Sequence, residues 1–258
     1  MFEGFEWRTN RIRVLDEGGR RVLVKEFDVL KPALIFTLYN IACFIDSLLR
    51  LSIFRFEDYY FPSIKERIEN ELNGRRILRE FNVKTPEVFQ YDDKKIVMEF
   101  IDGIGLLDFY READLNDVYR FSRELGLKLR ELHDHGFAYV DCRIENYILR
   151  GGEIYRLDLE FFTKATEFRR ISDIVTYVTS ILGLERDRCM TAIKAFHEGY
   201  GRKLTKIELT YTILFSSIYP LSLKEGPSEL MNRTLNVYKL INDNLKDIGL
   251  LKFLKSMF

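Results

Sequence analysis

The sequence is poor in several residue types, and each shortage removes a class of protein. Cysteine occurs three times in 258 residues (Cys43, Cys142 and Cys189), too few and too scattered for a disulfide framework, with no pair at zinc-ligand spacing. That usage suits a reducing, cytoplasmic compartment. The N-terminus has no basic stretch followed by an apolar run, so no signal peptide is expected. There is no Pro/Gly/Ser-rich linker, repeat or low-complexity tract. Net charge is absent too: 40 Lys and Arg balance 40 Asp and Glu. A dedicated nucleic-acid coat is normally basic, so no strong nucleic-acid signal is present. Glutamine occurs once, at Gln90, while Glu, Lys, Arg, Ile and Phe are abundant, a bias that thermophile proteins share.

Long apolar runs are missing as well, with one near exception. Residues 33–54 are dense in Leu, Ile and Phe, but Asp46 and Arg50 interrupt them. The uncharged part, Ala33 to Ile45, is only 13 residues, short of the ~18–20 a membrane-spanning helix needs. Thr37, Asn40, Ser47 and Arg50 share one helical face. A buried helix is the first expectation; a surface docking a protein partner or a membrane, giving peripheral association, is the second.

What is present is 47% hydrophobic and 31% charged, neither disordered nor fibrous. A chain of this length buries about 73% of its unfolded surface and needs no staples. Arg11–Leu15 and Arg21–Phe27 alternate around Asp16-Glu17-Gly18-Gly19, which reads as a hairpin. Strand parity puts Lys25 on a face with Leu23 and Phe27, either at the edge of an apolar pocket or facing solvent. Ser63 with Glu66 forms a capping-box signature opening a helix to Phe81, which Thr85-Pro86 is expected to stop. Its Arg75, Arg76 and Arg79 read as a wet face. Val88–Tyr91 and Lys95–Ile101 read as strands. From Leu106 onward the pattern is helical, apart from a strand-like break at Phe137–Leu159.

That break carries the chemistry. It runs His133-Asp-His-Gly136, then Asp141-Cys-Arg-Ile-Glu-Asn146, a Gly151-Gly152 turn, and Asp158-Leu-Glu160. A hairpin returns its two ends to one edge, so Asp141, Asn146 and Asp158 converge at one rim. Two carboxylates and an amide suit a hard cation such as Mg²⁺, usually alongside phosphate oxygens. Each residue also suits a plain turn or cap position.

Asp141 with Asn146 five residues on resembles the protein-kinase catalytic loop, and Asp158-Leu-Glu160 falls where that superfamily has Asp-Phe-Gly. Leu132-His133 with Gly136 resembles the lead-in to that loop, Val97–Gly103 the hinge, and Val24-Lys25 the strand lysine. Glu71 falls where small atypical members place their helix glutamate. Asp158 and Asp173 are only 15 residues apart, which leaves no room for an activation segment. That compactness resembles the RIO kinases, the KEOPS-complex kinase and the lipopolysaccharide (Kdo/heptose) kinases.

The resemblance implies an α+β, bilobal protein-kinase-like fold. Residues 1–101 would form a small antiparallel-sheet N-lobe holding the 33–54 insert, and 102–258 a helical C-lobe. It implies ATP and Mg²⁺ as cofactors and a protein or small-molecule hydroxyl as acceptor. Lys25 would hold the phosphates and Glu71 would hold Lys25. Met98 would stand at the gatekeeper position, with the Glu99 and Ile101 backbone at the adenine edge. Asn146 and Asp158 would bind the metal; Asp141 would orient the acceptor hydroxyl and Arg143 would face the transferring phosphoryl group. Asp173 would start a helix and cap the catalytic loop, and His133 would brace that loop.

Three departures accompany it. No glycine-rich loop precedes Arg11, Tyr139-Val140 replaces the usual His-Arg before the catalytic Asp, and Glu160 replaces a Gly, adding a carboxylate near the metal. The first of these motivates an alternative, a pseudokinase scaffold that binds nucleotide weakly or not at all; a small-molecule or lipopolysaccharide-sugar kinase is the other alternative.

Overall fold

The computed structural model describes residues 10–28, 55, 58, 62–218 and 226–248. The 33–54 run and the stretch before Asn10 lie outside these described residues.

The first hairpin pairs β1 (Asn10–Glu17) with β2 (Arg20–Phe27) in unbroken register. Its turn is Gly18-Gly19, with φ of +59° and +82°, the left-handed pair that a tight two-residue connection requires. A second pair, β3 (Val88–Tyr91) and β4 (Lys95–Glu99), joins it through β2 to give the sheet order β1-β2-β4-β3. The Asp92 carboxylate closes the β3–β4 turn by accepting the Lys94 and Lys95 N–H groups. β4 ends at Glu99 rather than Ile101.

The sheet uses both its faces. Val22, Val24 and Val97 cluster on one; Phe27, Ile96 and Met98 pack with Ile68 of helix α1 (Ile64–Glu80) on the other. Ser63 and Glu66 make the full reciprocal capping box. The helix ends at Glu80, before Thr85-Pro86 is reached. The chain leaves it through Asn82 at φ +51°, a left-handed exit that Asn tolerates. The arginine stripe expected to be wet divides. Arg76 and Arg79 are exposed, but Arg75 is buried, because positions 67, 71, 74, 75 and 78 form the face turned inward.

The rest is mostly helical: α2 (Leu106–Glu112), α3 (Leu115–Asp134), α4 (Glu167–Ile181), α5 (Arg186–Tyr200), α6 (Lys206–Ile218) and α7 (Pro227–Ile248). Its core gathers Leu106, Phe121, Leu129, Val178 and Phe196. Helices α3 and α5 touch backbone to backbone at Gly126 and Gly199, where a Cβ on either would collide with the other helix's main chain. The two-residue strand β5 (Ile104–Gly105) leads into α2, and between α3 and α4 run short strands β6 (Phe137–Ala138), β7 (Tyr147–Arg150), β8 (Glu153–Arg156) and β9 (Thr163–Lys164). β7 and β8 form the expected hairpin about Gly151-Gly152, at φ +60° and +81°. No helix among the described residues is long and apolar enough to cross a membrane.

Candidate active site

The site forms where α1, the end of β2 and the two ends of the β7–β8 hairpin meet. Lys25 Nζ lies 3.0 Å from Glu71 Oε2 and 2.8 Å from Asp158 Oδ1, although Asp158 is 133 residues away in sequence. The Lys25 side chain is only 6% exposed, so it is no solvent-facing strand lysine. Burial alone would push its ammonium down; Asp158, Glu71 and Glu160 outweigh burial and hold it above the usual lysine range. Glu71 is fully engaged. One oxygen takes Arg75, and the other takes Lys25 together with the Leu159 N–H at 3.0 Å. Arg75 reaches on to the Leu157 carbonyl at 2.8 Å, so α1 grips the backbone on both sides of Asp158.

Burial opposes ionisation of Asp158, but Lys25 dominates and places its carboxyl well below the usual range. Asp158 Oδ1 is occupied by Lys25 and by the Glu160 N–H at 3.2 Å, and Asn146 Nδ2 by the Asp141 carbonyl at 3.2 Å. Asp158 Oδ2 and Asn146 Oδ1 have no hydrogen-bond partner among the described residues, and Asp158 is 28% exposed. Two open oxygens of this type fit a hard cation that draws its other ligands from phosphate and water. No cluster of three or more His, Cys, Asp or Glu side chains able to hold a metal occurs among the described residues.

Asp141 sits on a loop fixed from several sides. The Tyr139 N–H donates to Asp173 at 2.9 Å, the Cys142 N–H to Thr176 at 3.0 Å, and Arg156 to the Asp141 carbonyl at 2.5 Å. Val140 between them holds φ +69°, a costly value for a β-branched residue, of order 1–3 kcal/mol. Arg143 forks onto the Asp141 carboxylate with two bonds of 2.7 Å. Burial raises the cost of ionising Asp141, and Arg143 outweighs it, so its carboxyl lies below the usual range. His133 braces the loop as expected, bridging Asp173 at 3.1 Å and Tyr200 at 2.8 Å. Asp173 itself does not start its helix. Thr166 caps α4, and Asp173 lies a turn or more inside, buried, with its side chain turned back to the loop.

The remaining expected residues line the sheet side. Met98 is buried beside Arg75, whose guanidinium meets its sulfur at 3.5 Å. Glu99 carries an ion pair with Arg150 at 3.1 Å, and Ile101 is buried just beyond it. On the face shared with Lys25, Ile12 and Val14 are paired opposite Lys25 and Leu23 and are 55% and 47% exposed, an apolar surface beside the ammonium.

Other participants were not foreseen. Arg67 and Asn10 converge on the Glu160 carboxylate. Arg156 is buried with its guanidinium 4.6 Å from the Tyr139 ring and 4.7 Å from the Tyr147 ring. The stripe 67, 71, 75 at four-residue spacing was the available signal in α1; nothing in the sequence singles out Asn10 or Arg156.

Similarity to known proteins bears on the fold. No family model matches the chain. Over 107 residues it is 36% identical to the KEOPS complex subunit Bud32 of Pyrococcus abyssi, covering 39% of this chain and 49% of that protein. Over 157 residues it is 30% identical to a probable bifunctional tRNA threonylcarbamoyladenosine biosynthesis protein of Methanosarcina acetivorans, covering 55% of this chain and 26% of that one. The chain thus spans about half, or less, of these relatives. Among solved structures, WaaP in complex with acyl carrier protein is similar with a TM-score of 0.51 at 16% identity, covering 86% of this chain and 90% of that one. APH(2")-IIa in its streptomycin–ATP ternary complex is similar with a TM-score of 0.50 at 11% identity, covering 86% and 94%. The chain has a protein-kinase-like fold.

Within that kinase-like fold, the stretch after Asp158 is short. It passes Leu159 and Glu160, pairs β9 with β6, and reaches the Thr166 cap of α4. Thr166 in turn donates to the buried Asp58 at 2.5 Å, which ties the chain just after the 33–54 run to the start of α4.

Proposed function

We propose that the chain binds ATP with Mg²⁺ and transfers the γ-phosphoryl group to a hydroxyl acceptor. The observation that carries this reading is the buried Lys25 held between Glu71 and Asp158, with Asp141 and Asn146 on the adjoining loop. In this reading residues 1–101 and 102–258 act as two lobes closing on the nucleotide. Lys25 orients the phosphates, and Glu71 keeps Lys25 in place. Asn146 and Asp158 supply the two protein oxygens to the metal, whose chemistry when bound is to neutralise phosphate charge. Ile12, Val14 and Leu23 offer the apolar surface for the base, with Met98, Glu99 and Ile101 along its edge. Asp141 accepts the hydrogen bond of the acceptor hydroxyl and takes its proton as the new oxygen–phosphorus bond forms and ADP leaves. A carboxyl held low by Arg143 is a weak base but a well-oriented one, so its contribution is mainly alignment. Arg143, a planar cation, can turn from Asp141 to the transferring group.

The relative named as a KEOPS complex subunit favours a second reading, in which the same fold serves as a protein-bound scaffold with little turnover. Labelled ATP and Mg²⁺ separate the two. The first reading expects hydrolysis or autophosphorylation that falls about 100-fold or more in Asp141→Ala. Equal rates for wild type and variant, or no turnover in either, would leave the scaffold.

A further inference from the structure

The post-Asp158 segment carries a charge that the site must keep away from Lys25. Glu160 is buried, 2% exposed, and its Oε2 lies 3.8 Å from Lys25 Nζ, close enough to compete with Asp158 at 2.8 Å and Glu71 at 3.0 Å for the same ammonium. Arg67, on the same inward stripe of α1 as Glu71, takes that oxygen with two N–H groups, Nη2 at 2.7 Å and Nε at 3.2 Å. Asn10 at the start of β1 donates to it at 2.8 Å and accepts from Arg67 at 2.7 Å, and Asn70 donates to the Glu160 carbonyl at 2.9 Å. With Arg67 present, three buried cations (Lys25, Arg67, Arg75) meet three carboxylates (Glu71, Asp158, Glu160). Without it, Lys25, at 3.8 Å, is the nearest remaining cation for Glu160 among the described residues, and a low-dielectric interior makes the choice of partner steep.

We propose that Arg67 is a positioning residue of the nucleotide site: it holds Glu160 off Lys25 and, with Asn10, fixes the segment that carries Asp158. Lys25 then stays committed to Asp158 and Glu71. The inference rests on the MgATP reading of the site for its functional consequence, but the clamp itself exists without nucleotide. It also predicts that Glu160→Gly, which supplies the glycine usual at this position, harms this site instead of improving it.

The test is an epistasis measurement on the full chain. Two readouts are taken: hydrogen exchange of the amides at 157–161 without nucleotide, and the dissociation constant for MgATP by calorimetry. Arg67→Gln should release the 157–161 amides and weaken MgATP about tenfold or more. Glu160→Gln keeps an acceptor for Arg67 and removes the charge, so it should stay within about threefold of wild type. The double variant Arg67→Gln/Glu160→Gln should recover most protection and most affinity, because no carboxylate is left to draw Lys25 away. A double variant as unprotected and weak as Arg67→Gln alone would overturn the clamp, since a merely structural arginine is not rescued by discharging its partner. If the wild type binds no MgATP while exchange still shows the rescue, the nucleotide reading fails and the clamp stands.

Discussion

At the scale of single residues, the site is a problem of partner choice among buried charges. Taking a charge out of water is costly unless it is paired and hydrogen-bonded, and leaving one partner alone costs several kcal/mol. Lys25 is therefore expected to be less replaceable than any exposed lysine. Lys25→Met, which removes the ammonium between Glu71 and Asp158, should lower thermal stability as well as abolish nucleotide binding; a melting scan that shows no loss would contradict its paired, buried placement. A second titrating group lies on α5. Burial pushes His197 down to about 4, against the opposing pull of Glu208. A histidine neutral in the fold but free to protonate when unfolded stabilises the fold fully above pH 6.5. That stability is lost as pH falls from 6.5 toward 4, by on the order of 2–3 kcal/mol. Chemical denaturation across that window should show the loss in wild type and a flatter profile in His197→Phe, which keeps a ring beside Phe196 and Glu208 but cannot protonate. Equal slopes would mean that His197 is not the group responsible.

At the scale of elements, much was legible because it is local. The Ser63–Glu66 box, the Gly18-Gly19 and Gly151-Gly152 turns and the alternation in β2 each depend on residues within a few positions of one another, and each forms in the fold. Ser63→Ala should cost about 1 kcal/mol by removing one half of the box, readable as a lower denaturation midpoint with unchanged slope. The close approach of α3 and α5 is a separate demand. Gly126→Ala has no room against the Phe196 carbonyl, so it should destabilise by about 2 kcal/mol or more despite alanine's better helix propensity. An Ala variant as stable as wild type would show that the helices can part freely. What was not legible is equally physical. The burial of Arg75 depends on which element covers the helix, and the Arg67–Glu160 pair joins positions 93 residues apart. Spacing within α1 hinted at a buried charged stripe, but composition suggested a wet face and only packing decided between them.

At the scale of the whole molecule, the zero net charge with which the sequence begins resolves into a pattern. Surface ion pairs balance locally, while the interior holds a neutral set of cations and carboxylates gathered from β2, α1 and the segment after β8. The order of motifs along the chain made the fold readable, because several weak signals in sequence constrain topology more than any one of them constrains chemistry. The acceptor was not readable, since acceptor choice belongs to surfaces shaped by distant segments. The central claim is that Asp158 and Asn146 receive a metal–nucleotide complex beside Lys25. Anything that binds only the folded state raises its melting temperature, and does so increasingly as its concentration exceeds Kd. The direct measurement is therefore thermal stability with ATP, with and without Mg²⁺, for wild type and Asp158→Asn. The account predicts a Mg²⁺-dependent rise with ATP in the wild type that is lost in Asp158→Asn; a wild type unmoved by MgATP, or a variant that responds equally, would contradict it.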